Sequence, residues 1–93
     1  MTGAAGDLGA ATLLRLIAQI VADESGDARR RRLTRATRPA QVPGWDSLMH
    51  ARIVLALEER LQVRVDIAHT YDIDDLGGLV DYLTRLAAAG PDA

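Results

Sequence analysis

A chain of 93 residues with a formal net charge of −2 makes one small domain, able to bury roughly 60–65% of its unfolded surface but too small for a deep catalytic cleft. Hydrophobic residues supply 48% of it, yet there are only one Trp, two Tyr and no Phe; the core must therefore come from Leu, Ile, Val and Ala, as in an all-α bundle and unlike an all-β fold. The absence of cysteine excludes disulfides and cysteine-ligated metal, so any thiol chemistry must come from a cofactor, and no apolar run approaches the roughly 20 residues that cross a bilayer.

In chain order, residues 1–7 read as a loose Gly/Ala-rich tail, with Asp7 placed to cap the first helix. That helix is predicted to run from there to about Ala22. Leu13, Leu14, Leu16, Ile17, Ile20 and Val21 recur at spacings of three and four and form its core face, with Arg15 and Gln19 outside. From residue 23 to 45 the periodicity stops. Gly26, Pro39, Pro43 and Gly44 punctuate a long connection, and Leu33, Val42 and Trp45 are its expected anchors to the bundle.

The middle of that connection is Arg29-Arg30-Arg31-Arg32-Leu33-Thr34-Arg35. Residues 1–43 hold seven Arg against four acids and residues 44–93 four Arg against nine, so the halves carry +3 and −5. Different partners, or two contacts of one partner, can read the two halves. No aromatic is interleaved with the arginines, so a solvated loop or an acidic protein contact is expected there, and no nucleic acid.

Next comes Gly44-Trp45-Asp46-Ser47-Leu48, followed at once by a helical pattern over 47–61. Asp46 and Ser47 both suit a helix start, because their side-chain oxygens accept from backbone N–H groups that lack intrahelical partners. Those amides and the positive end of the helix dipole would also accommodate a phosphate on the Ser47 oxygen. Two apolar stripes run along this helix. Ile53, Val54, Leu57 and Leu61 point to the core, while Leu48, Ala51 and Leu55 lie opposite, beside Arg52 and Glu59. The second stripe, with Met49, is the expected partner-docking face.

Residues 63–66 read as a loop with buried valines, 67–71 as one short helical turn, and Asp74 or Asp75 as the cap of a last helix whose core face is Leu76, Leu79, Val80, Leu83 and Leu86. Gly77 and Gly78 weaken its first turn by roughly 1 kcal/mol each relative to alanine, for which close packing or local motion is the expected return. The tail over 90–93 reads as frayed, and one domain, 1–93 with its core at about 8–88, is predicted.

Gly44-Trp45-Asp46-Ser47-Leu48, Ile53-Val54-Leu55-Ala56-Leu57-Glu58-Glu59 and the apolar positions from Leu76 to Leu83 resemble the acyl carrier and peptidyl carrier protein family. The likeness spans about residues 12 to 86. It implies a four-helix bundle of acyl-carrier type, with three longer helices, a short third one and a long loop between the first two. It also implies that a phosphopantetheinyl transferase attaches 4'-phosphopantetheine from coenzyme A to Ser47. The terminal thiol would then hold acyl or aminoacyl groups as thioesters for loading and downstream biosynthetic enzymes, raising their effective concentration at each partner. Asp46 would assist the transferase or simply cap the helix, and Leu48 would contact partners beside the arm. Fatty-acid synthesis carriers are strongly acidic just after the serine, whereas here Met49, His50, Ala51 and Arg52 come first and the acids wait until Glu58 and Glu59. Discrete carriers of polyketide, nonribosomal-peptide or related specialised pathways are the better match. A standalone, cytoplasmic, monomeric carrier is expected, with excision from a larger synthase as the alternative.

Two competitors belong beside this reading. A Ser47–His50–Asp46 triad is conceivable, since His50 can reach back one turn, but no oxyanion hole or substrate cleft is evident and no catalytic residue is assigned. With two histidines and no cysteine, no metal site is predicted. The other competitor is an unmodified helical interaction module, a degenerate carrier or adaptor, using the same exposed leucines.

Overall fold

The structure is a computed structural model and describes residues 9–26 and 32–89. Among the described residues it is all-helical: α1 is Ala10–Ser25, α2 Ser47–Leu61, α3 Ile67–Thr70 and α4 Leu76–Ala89, with one turn of 3₁₀ helix at Pro39–Gln41 in the long connection. Three longer helices and a short third one are as the periodicity predicts. The fold is a small helical bundle.

α1 departs from expectation at both ends. Its N-cap is Gly9, with no side-chain cap, and Asp7, expected to cap it, lies outside the described residues. At the other end it runs beyond Ala22 to Ser25, where Gly26 closes it in the left-handed conformation at φ 74°. The apolar stripe ends at Ala22, but Asp23 and Glu24 are tolerated in a helix, and Gln19 donates to the Asp23 carboxylate at 2.9 Å one turn away.

Leu13, Ile17 and Ile20 of α1, Ile53 and Leu57 of α2, and Leu76, Val80 and Leu83 of α4 are essentially sealed from water. Each contributes roughly 1.5–3 kcal/mol by leaving water. α1 packs on both α2 and α4, and Leu14, Leu16 and Leu86 flank the core half-buried. Around it, α2 ends at Gln62, whose φ is 56°. Val63 is buried; Val65 donates its amide to the Glu58 carboxylate at 2.7 Å and Asp66 donates its own to the Tyr82 hydroxyl at 3.0 Å. The Asp66 carboxylate in turn caps α3, accepting from the amides of Ala68 and His69.

The long connection is docked along the bundle from Leu33 onward. Leu33 packs half-buried on the core and Val42 is buried. Its backbone also closes the open end of α4: the amides of Leu76 and Gly77 donate to the carbonyls of Thr37 and Arg35 at 2.9 and 2.8 Å. The third amide, that of Gly78, goes to the Asp75 carboxylate at 2.9 Å, which makes Asp75 the cap. Arg35 then reaches along α4 to grip Asp81 with both guanidinium nitrogens, at 2.9 and 3.1 Å. Gly77 permits this approach: a Cβ there would lie 3.0 Å from both the carbonyl oxygen and the Cβ of Arg35. A Cβ on Gly78 would meet Ile73 at 2.8 Å. Close packing is therefore what the glycine pair provides. Arg29, Arg30 and Arg31 lie outside the described residues, while Arg32 is exposed.

Candidate functional site

Pro43 and Gly44, the latter at φ 85°, turn the connection into α2. The Asp46 backbone is extended, and its side chain accepts the Met49 amide at 2.9 Å while its carbonyl accepts that of His50 at 2.8 Å. Asp46 is thus the N-cap and Ser47 the first helical residue, with its side chain exposed. The amides of Ser47 and Leu48 sit at the open, positive end of the helix.

Beside Ser47 lies a cleft of about 330 Å³ whose walls include Pro39, Trp45, His50, Thr70, Tyr71 and Ile73. Its floor is a chain of side-chain hydrogen bonds. Trp45 Nε1–H donates to His50 Nδ1 at 3.1 Å, and His50 Nε2 meets Thr70 Oγ1 at 2.7 Å. Thr70 Oγ1–H donates to the Ile67 carbonyl at 2.6 Å. The Tyr71 ring stacks on the His50 ring at 4.3 Å. His50 and Thr70 are the buried polar side chains among the described residues, and satisfy each other as burial demands. Burial lowers the His50 pKa below its ordinary value, keeping the ring neutral.

With Nδ1 and Nε2 both engaged elsewhere, His50 is not arranged as a base for Ser47. The conceivable Ser47–His50–Asp46 relay is absent from this geometry. What the arrangement offers is an exposed hydroxyl at a capped helix start, beside an open cleft.

No family model, curated protein or solved structure matches this chain.

Of the face predicted for partners, Leu48 and Leu55 are each 60% exposed, and Arg52 and Glu59 are exposed beside them. Ala51 is half-buried. Met49 is not on that face: it is 9% exposed and belongs to the core. The reason is the helical repeat, since Met49 precedes Ile53 and Leu57 at intervals of four and shares their inward stripe. Arg52 leans toward Glu24 of α1 at 3.9 Å, and a second groove of about 310 Å³ lies there between the end of α1 and the start of α2. Pro39, Thr70, Tyr71 and Ile73 were not singled out by sequence as site residues. The available hint was compositional: Tyr71 is one of only three aromatics, and 54% of it is exposed.

Proposed function

We propose that this chain is a carrier protein holding acyl or aminoacyl intermediates on a 4'-phosphopantetheine arm at Ser47, in polyketide, nonribosomal-peptide or related specialised biosynthesis. The observation that carries the reading is the placement of Ser47: exposed, first in α2, capped by Asp46 and beside an open cleft. The resemblance of residues 44–48 to the carrier family's modification site supports it, as does the small helical bundle around them.

The residues fit such a group. A phosphodiester on Ser47 Oγ would meet the amides of Ser47 and Leu48 and the positive helix end. When bound, the arm supplies a terminal thiol that forms thioesters. The chain's own contribution is positional: Asp46 fixes the helix start, Val42 and Leu33 anchor the incoming connection, and the exposed Leu48 and Leu55 give a partner an apolar surface beside the tether. Asp46 also offers a carboxylate to the transferase. Loading and downstream enzymes would perform the chemistry.

The exposure of those two leucines equally favours a second reading, an unmodified helical interaction module. The test is the intact mass after incubation with coenzyme A, magnesium and a broad-specificity phosphopantetheinyl transferase. Gain of one phosphopantetheinyl group by the parent and none by Ser47→Ala is the expected result. No gain with several transferases overturns the carrier reading and leaves the interaction module.

A further inference from the structure

We propose that the indole of Trp45 is a pH-dependent gate in the wall of the open cleft beside Ser47, held against neutral His50 and released when His50 takes a proton. This concerns the unmodified chain and does not depend on what Ser47 carries.

The hydrogen-bond chain leaves one protonation state. The single Thr70 hydroxyl proton is committed to the Ile67 carbonyl at 2.6 Å, so toward His50 the oxygen accepts, and Nε2 carries a proton. An indole nitrogen only donates, so Nδ1 at 3.1 Å from it must present a lone pair. A neutral ring protonated on Nε2 meets both demands. A second proton on Nδ1 sets donor against donor, and the indole cannot reverse its role. The Thr70 side has no such conflict: Nε2–H still donates, and the ring remains stacked on Tyr71 at 4.3 Å. Protonation therefore separates His50 from Trp45 and leaves α3 in place. Trp45 is only half-buried and lines the cleft with Pro39, so its release reshapes the cleft wall two residues before Ser47.

The charged and titratable groups around the ring are Asp46 and Tyr71 on the cleft side and Asp75 on the far side, in a small cavity with Leu76 and Leu79. Each carboxylate already accepts a helix amide, from Met49 and Gly78. Burial of the ring opposes the imidazolium and sets the direction of its pKa, downward.

The test is ¹⁵N NMR of the Trp45 indole and the His50 ring from about pH 8 to about pH 4.5, the range that brackets histidine titration. Above the transition the ring is expected as the Nε2–H tautomer, with the indole proton bonded and slow to exchange. Below it, the indole proton exchanges with water at the same midpoint as the ring, while the α3 amides keep their protection. An Nδ1–H tautomer, an indole signal unchanged through the ring titration, or separate midpoints for ring and indole would overturn the gate. His50→Gln keeps an acceptor and a donor without titrating, so its indole is expected to stay bonded throughout. An indole transition persisting in that variant assigns the trigger to Asp46 or Asp75 and overturns the proposal. If His50→Gln does not fold, Thr70→Val serves instead: the imidazolium loses its acceptor, so the shared midpoint must fall, by up to about one pH unit. A midpoint that stays or rises overturns the gate.

Discussion

Gly77→Ala sets two effects of opposite sign against each other. Alanine in a helix is favoured over glycine by about 1 kcal/mol, so on propensity alone the variant should be more stable. The new methyl, however, arrives 3.0 Å from the Arg35 carbonyl oxygen and 3.0 Å from its Cβ. Both belong to the rigid part of a neighbouring segment and cannot rotate aside. Relief requires the connection to move back from α4 by a few tenths of an ångström, which strains the two backbone bonds from Leu76 and Gly77 to Thr37 and Arg35, worth about 1 kcal/mol each. The net expectation is a loss of up to about 1 kcal/mol, or roughly 4–8 °C in Tm for a domain of this size. Thermal unfolding followed by far-UV circular dichroism measures it. The mechanism has its own check, because moving Arg35 also loosens its grip on Asp81, so Asp81→Asn should cost less in the Gly77→Ala background than in the parent. A Tm at or above that of the parent would refute the clip as a structural constraint.

Substitutions elsewhere in the bundle have equally definite outcomes. Leu57→Ala, at a sealed position, should cost about 2–5 kcal/mol in chemical denaturation, whereas Leu55→Ala, at a 60% exposed one, should stay within about 0.5 kcal/mol. Asp46→Ala should lose about 1 kcal/mol of helix capping and Asp46→Asn almost none. If the carboxylate also serves the transferase, Asp46→Asn will be modified roughly tenfold more slowly, the loss of one charge-assisted bond; equal rates would reduce Asp46 to a cap. For pH, the lowered His50 pKa means that above about 6.5 the ring is neutral folded or unfolded, and below it the unfolded chain takes up a proton the folded one refuses. Stability should decline from about pH 6.5 downward until the folded ring also titrates, and His50→Gln should flatten that decline. The Asp81 carboxyl, lowered by its hydrogen bond from Arg35, contributes above about pH 3.9 and loses its contribution as pH falls through its lower folded value.

The sequence was most legible where one local signal and one periodic signal coincide. Asp46-Ser47 followed by two apolar stripes marks α2 at both ends, and Ser47–Leu61 is the helix found. At α1 the periodicity alone placed the end three residues early, because an apolar stripe reports packing, while a helix stops where a residue such as Gly26 leaves the helical conformation. Met49 lies in the core and its neighbour Leu48 outside it because adjacent helical residues point about 100° apart. The anchoring of the connection by Leu33 and Val42 was legible from their apolar character, but the hydrogen bonds between distant segments were not. The bond from Gly77 to Arg35 uses backbone groups that every residue carries. The pairing of His50 with Thr70 could not be read from a histidine near the core side, since its partner arrives on a separate helix.

The placement of the aromatic residues has an optical consequence. The buried core contains no aromatic ring, and the chain's single tryptophan lines the cleft with its indole against His50. Its emission therefore reports the surroundings of Ser47 without a label and with no second tryptophan to average over. Arrival of a partner, attachment of a group to the serine, and the charge state of the imidazole can all be followed as changes in the intensity of one fluorophore.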